Sequence, residues 1–195
     1  NQLALSLVRG HMKRAAGRSF AGDGTRQAKI IGALPYKLTG GQAFANAEIH
    51  ADMTSPSRML RLLQGDVGSG KTIVALLALA TAVECGAQGT FMVPTEILAR
   101  QHLASLTPLC AAAGIAIAVL TGREKGKQRE DILERLAAGR IDILIGTHAL
   151  FQEGVEFRNL GLVVIDEQHR FGVHQRLALQ AKAGSATDLL VMTAT

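Results

Sequence analysis

Apolar positions along this chain fall into two alternating patterns. Short, mostly apolar runs occur at 59–63, 88–93, 115–120, 141–145, 160–165 and 189–192. Runs of that length suit strands buried on both faces. Between them lie stretches with helical spacing, at 42–52, from 73 onward, at 95–113, 126–138 and 175–181. Residues 53–57 read as a polar turn closed by Pro56, and Pro108 is expected to end or kink the helix that contains it. Strands alternating with helices predict an α/β domain: a parallel sheet with helices on both faces. Residues 1–34 are the least regular part. An amphipathic helix over 1–16 would carry Arg9, Lys13 and Arg14 on one face. A glycine-rich break over 17–25 and a short helix over 26–34 follow.

Composition narrows the class. With 195 residues, 48% of them hydrophobic, the chain can bury a full core, and disorder is not the default. Tryptophan is absent and aromatics make up 4%, so that core must be aliphatic. The net charge of +5 permits a polyanionic partner without requiring one. Cys85 and Cys110 have no metal-ligand spacing and fall in helical patterns, so both are expected to be buried thiols in a reducing compartment. No apolar stretch is long enough to cross a bilayer, and no signal-peptide pattern opens the chain. The expected location is the cytoplasm.

The chemistry begins at Gly65-Asp66-Val67-Gly68-Ser69-Gly70-Lys71-Thr72. Two glycines four residues apart, then Lys and Thr, between a strand and a helix, form a phosphate-loop pattern. Small residues let backbone N–H groups curl around an anion, and the helix start adds its positive dipole end. Lys71 can reach the β- and γ-phosphates, and Thr72 can hold Mg²⁺. A second site ends the 160–165 run, at Asp166-Glu167-Gln168-His169. Two adjacent carboxylates after a buried strand are costly unless they meet a cation or a proton. Asp166 would hold Mg²⁺, directly or through water. Glu167 would orient or deprotonate an attacking water. Lys71, Thr95, Thr121, Thr147, Asp166 and Thr193 all come just after an apolar run. That puts them at the carboxyl ends of strands, where doubly wound folds bind ligands.

The same segments, in this order, resemble the motifs of the superfamily 2 helicases. Asp166-Glu167-Gln168-His169 is similar to that superfamily's second motif, with His169 where Asp is commoner. Thr39-Gly40-Gly41-Gln42 resembles its adenine-reading motif, with Gly41 a departure from the usual Ala. Pro94-Thr95-Glu96-Ile97-Leu98-Ala99-Arg100-Gln101-His102 resembles a motif that touches the DNA backbone. Thr121-Gly122 and Gly146-Thr147-His148-Ala149-Leu150 resemble two further strand-contacting motifs. Thr193-Ala194-Thr195 resembles the motif that couples hydrolysis to movement. The likeness covers about residues 35–195 and is strongest to bacterial helicases that remodel stalled replication forks. A transcription-repair coupling translocase is the nearest alternative.

The resemblance implies a RecA-like fold and the first motor lobe of a larger enzyme, over 35–195, with 1–34 a connecting arm. It implies ATP and Mg²⁺ as cofactors, Gln42 and the phosphate loop as their binding residues, and branched or forked DNA as the partner of the complete enzyme. Pro94, Thr95, Arg100, Thr121, Gly122, Thr147 and His148 become candidate DNA contacts, with charge added by Arg123 and Lys125. Each of these is equally readable as an ordinary cap, turn or solvated residue, and residues 1–16 as a solvated helix; Gln42 is better supported, against the reading of a polar helix start. A second RecA-like domain and a wedge domain would be supplied in cis. A small-molecule kinase would not need Asp166-Glu167-Gln168-His169 followed by Thr193-Ala194-Thr195. A GTPase is disfavoured because no Asn-Lys-x-Asp guanine reader occurs. An ATP-gated DNA-binding module without turnover stays open.

Overall fold

A computed structural model of the chain describes residues 17–167 and 186–194, and of Phe151 and Glu167 the backbone alone. The helices expected over 1–16 and 175–181, His169 and Thr195 lie outside the described residues. The elements, in chain order, are α1 (Thr25–Ala33), α2 (Gly40–Thr54), β1 (Leu60–Gln64), α3 (Lys71–Glu84), β2 (Gln88–Met92), α4 (Glu96–Ala112), β3 (Ile117–Leu120), α5 (Gly126–Ala137), β4 (Ile143–Gly146), β5 (Leu160–Glu167) and β6 (Asp188–Thr193). A 3₁₀ turn, His148–Phe151, follows β4.

The six strands form one sheet in the order β1-β6-β5-β2-β4-β3. Every pairing is parallel. Alternate residues therefore enter two separate cores. Phe91, Ile143, Ile145, Leu162, Val164 and Leu190 face a cluster shared with α1, α2, α3 and α4. Met92, Leu144, Val163, Ile165 and Val191 face a second cluster closed by Ile132 and Leu136 of α5 and by the 3₁₀ turn. The α/β sheet covered on both faces is the architecture the alternation predicts.

Strands β3 and β4 start two residues later than the apolar runs suggest. Ile115 donates its amide to Cys110 O at 2.9 Å, which closes the end of α4. Ala116 donates to the Asp142 carboxylate at 2.7 Å, and its carbonyl receives the amides of Asp142 and Ile143. These groups serve a crossing ahead of the ladder. Met53 and Thr54, expected in a turn, complete α2. Pro108 neither ends nor breaks α4. The carbonyl it leaves without an amide partner belongs to Ala104, on the exposed side of the helix, where water can satisfy it.

Helix α3 is buried from Ile73 to Val83 on every side. The sheet covers one side through β2 and β5, and α1 and α2 cover the outside. Residues 17–33 belong to that cover. Phe20 and Ile30 enter the same core cluster as α3. Helix α1 starts at Gly24 without a side-chain cap. Glu84, at the far end of α3, takes that role, accepting the amides of Gly24 and Arg26 at 2.8 Å each. A carboxylate at a helix start also meets the positive end of its dipole.

The cysteines differ, against expectation. Cys110 is buried, and burial pushes its thiol up to about 12. Cys85 is exposed, because it follows the last turn of α3 where the chain turns back through Gly86 at φ 76°. No described helix is long and apolar enough to cross a membrane.

Candidate nucleotide site and nucleic-acid edge

Sheet register brings the chemistry-bearing residues to one edge. Gln64 pairs with Thr193, and Thr193 with Glu167. Asp166 pairs with Met192, and Met92 with both Ile165 and Gly146. Gly146 in turn pairs with Leu120. Read across the edge, the order is phosphate loop, Thr193-Ala194, Asp166, Pro94-Thr95, Thr147, Thr121. The segments expected to serve a nucleotide occupy one half and those expected to contact a DNA strand the other.

The loop between β1 and α3 turns through Gly68 (φ 81°) and Gly70 (φ 78°), left-handed conformations that glycine adopts without strain. Ser69 donates its amide to Asp66 O at 3.1 Å, and Gly65 donates to Thr193 O at 3.3 Å. Val67 is the exposed tip of the loop. Lys71 does not reach outward. Its Nζ donates to the carbonyls of Gly65 (2.7 Å) and Asp66 (2.8 Å), so the loop is closed by its own lysine. Thr72 follows on the first turn of α3, half-buried.

Gln42 is bonded at both ends of its amide. Its oxygen accepts the Thr39 amide at 3.0 Å and completes a capping box with the Thr39 hydroxyl. Its Nε2 donates to Ser69 O at 2.9 Å. A Cβ at Gly70 would stand 2.2 Å from that nitrogen, so this glycine serves the contact as well as the turn. An amide has two donors and two lone pairs. One of each is unused among the described residues.

Asp166 is largely buried at the end of β5. His102 Nε2, on α4, stands 3.7 Å from its Oδ2. That nitrogen is buried and has no hydrogen-bond partner among the described residues. The imidazole leans on Phe91 of β2, ring centroids 4.9 Å apart. Glu167 pairs through its backbone with Thr193.

The other half of the edge is held by two carboxylates. Glu124 is 3% exposed. It accepts the amide (2.6 Å) and hydroxyl (2.8 Å) of Thr121 and pairs with Arg100 of α4. Burial alone would raise its carboxyl, but the Thr121 bonds and the Arg100 charge outweigh it and hold the group below its usual range. Glu96, on the first turn of α4, accepts from the Gly122 amide (3.1 Å) and the Arg123 guanidinium (3.0 Å). Thr95 caps α4 by accepting the Leu98 amide at 3.2 Å. Thr147 is buried, its hydroxyl without a hydrogen-bond partner among the described residues, while His148 is exposed. Gly146 is required by packing, since a Cβ there would lie 2.4 Å from Leu120 O.

A family model for the DEAD/DEAH box helicase matches residues 41–195. This chain belongs to the DEAD/DEAH box helicase family. Among its relatives, the ATP-dependent DNA helicase RecG of Bacillus subtilis (strain 168) is 58% identical over 86% of this chain and 24% of its own length. RecG of Escherichia coli (strain K12) is 46% identical over all of this chain and 29% of its own length. A solved structure of RecG bound to a three-way DNA junction superposes on 98% of this chain at TM-score 0.85 and 45% identity, using 25% of that chain. The helicase MrfA, at 20% identity and TM-score 0.68, shares the fold. This chain thus spans about a quarter of the length of the RecG relatives. The alternative of a transcription-repair coupling translocase gains no support from these relatives.

Within this DEAD/DEAH box lobe, the sequence reading singled out the edge residues and missed their holders. Glu96, Glu124 and His102 lie inside or beside the quoted motifs. Glu124 carried a signal, an acid three residues after Thr121 at the end of a strand. Its partner Arg100 lies 24 residues earlier, and spacing does not reveal that pairing.

Proposed function

We propose that this chain is the ATP-binding first motor lobe of a DNA helicase or translocase that remodels branched DNA, coupling ATP hydrolysis to movement on duplex. One observation carries the reading: phosphate loop, Thr193-Ala194, Asp166-Glu167 and the strand-contacting segments share one sheet edge, in that order. The relatives are named as ATP-dependent DNA helicases, and one is solved on a three-way junction, which supports DNA as the partner.

Mg²⁺ fits the residues present. No group of three or more His, Cys, Asp or Glu side chains that could hold a metal occurs among the described residues. Thr72 and Asp166 bring a hydroxyl and a carboxylate, hard oxygen donors of the kind Mg²⁺ takes, with phosphate and water for the rest. Thr72 and Asp166 would hold it, and when bound it neutralises the β- and γ-oxygens. Lys71 exchanges the carbonyls of Gly65 and Asp66 for phosphate oxygens. Gln42 offers its spare donor and acceptor to adenine and, through Ser69, ties base recognition to the loop. Glu167 orients or deprotonates the attacking water, and His169, two residues on in the chain, links hydrolysis to Thr193-Ala194-Thr195. Across the edge, Pro94, Thr95, Gly122, Thr147 and His148 meet the DNA backbone, with Arg100, Arg123 and Lys125 adding charge. Thr121 contributes through its turn, since its hydroxyl serves Glu124. On this reading a second RecA-like lobe supplies arginines to the γ-phosphate and a wedge domain reads the branch, both in cis, in the cytoplasm.

The test assays these 195 residues with a fluorescent ATP analogue, and for steady-state ATPase with forked DNA at low and moderate salt. The expected result is Mg-dependent binding and near-absent turnover, for want of an arginine that contributes roughly 10³–10⁵ in rate in other NTPases. DNA binding is expected to be weak and steeply salt-dependent, as backbone contacts are. Robust DNA-stimulated turnover would retire the two-lobe reading. Absence of nucleotide binding would retire the phosphate-loop assignment.

A further inference from the structure

His102 is placed where packing alone does not explain it. Its Nε2 is buried without a hydrogen-bond partner among the described residues, an arrangement that costs free energy in a folded protein. The acceptor it faces is Oδ2 of Asp166 at 3.7 Å, outside the roughly 2.7–3.2 Å of a hydrogen bond. Closing about half an ångström would make the bond. Phe91 fixes the imidazole from below, so the ring cannot swing to another acceptor without losing that contact.

The helix that carries His102 has two further attachments. It begins at Thr95, one of the proposed DNA-backbone contacts, and Arg100 ties it to the 121–124 turn through Glu124. Thr95 and His102 are seven residues apart, two helical turns, on one face of α4 and about 10 Å along it. A helix moves as a rod over that length. A displacement at Thr95 is a displacement at His102.

We propose that His102 is a positioning residue through which engagement of DNA by α4 reaches the carboxylate that holds the metal. The pair stands at 3.7 Å, just out of bonding range. Seating α4 on a backbone phosphate brings Nε2–H onto Asp166 Oδ2 and fixes the carboxylate's orientation toward the metal of bound nucleotide. The inference rests on the function proposed above. It adds a route from the DNA half of the edge to the nucleotide half that does not pass through Thr193-Ala194-Thr195.

The test measures affinity of the 195-residue chain for a non-hydrolysable ATP analogue, with Mg²⁺ and with EDTA, each with and without short duplex DNA at low salt. In the parent, DNA should tighten the Mg²⁺ complex on the order of 10-fold, within the usual range of site-to-site coupling, and leave the metal-free affinity alone. His102→Leu keeps an apolar group on Phe91 and removes the donor. It should abolish the DNA-linked gain while its thermal midpoint and metal-free affinity stay near the parent's. His102→Gln, which retains an N–H donor, should restore part of the gain. A gain that survives in His102→Leu overturns the proposal, as does a parent that binds both ligands without coupling, and the function reading then stands. No rescue by His102→Gln reduces the residue to packing and overturns its donor role. A parent that binds no Mg-nucleotide overturns the function reading first, and this inference with it.

Discussion

Helices α3 and α4 begin at the same sheet edge and are built in opposite ways. Helix α3 starts at a left-handed glycine, with no side chain on its first amides, and is buried on every side thereafter. Helix α4 starts at Thr95, which caps it, buries only Ala99, Leu106, Leu109 and Cys110, and spends its polar residues on neighbouring segments. An uncapped helix start with a closed body can receive an anion and stay where it is. A capped start with a half-solvated body can be pulled. On the function proposed above, the closed helix serves the nucleotide and the more open one the strand.

The largest test of that contrast is stability. Leu77, in the middle of α3, is fully buried. Leu77→Ala should cost about 2–5 kcal/mol, as core truncations do. Ile97→Ala, at a side chain 67% exposed on the first turn of α4, should stay within about 0.5 kcal/mol. Urea midpoints read both. Equal losses would break the distinction between a closed and an open helix.

Next in size is the effect on ligand. Lys71→Ala should weaken Mg-ATP binding about 10- to 100-fold, the loss of one charge-assisted contact at about 1.5–3 kcal/mol. Titration of a fluorescent analogue reads it, and unchanged affinity would mean that α3 receives no phosphate. The smallest effect sharpens the comparison from the other side. Thr95→Ala removes a cap and should cost about 1 kcal/mol of stability, with nucleotide affinity untouched. If it weakened nucleotide binding as much as Lys71→Ala does, the two helix starts would not be separate devices.

Sequence carried the edge because each apolar run ends where a polar residue must face a ligand. Gln64, Met92, Leu120, Gly146 and Asp166 line up in the sheet as those run ends imply. What it did not carry depends on partners distant along the chain. Thr121, expected among the DNA contacts, is buried against Glu124. Gln42 looked like a base reader and is bonded to Ser69, 27 residues away. Residues 1–34 read as a helical connecting arm, and nothing in the sequence shows that Phe20 and Ile30 share the core with α3. Composition puts cysteine inside by default, and no periodicity could show that Cys85 falls one residue past the end of a buried helix.

That last detail has a practical side. The chain has two sulfhydryls, and only one is within reach of solvent. A maleimide dye or spin label offered to the folded lobe at mildly alkaline pH will take Cys85 and leave Cys110, whose thiol is buried and pushed up to about 12. The attachment point lies at the far end of α3, about 20 Å from the phosphate loop along a helix held on all sides. It is a ready fiducial from which distances to a bound ligand can be read without engineering a new cysteine.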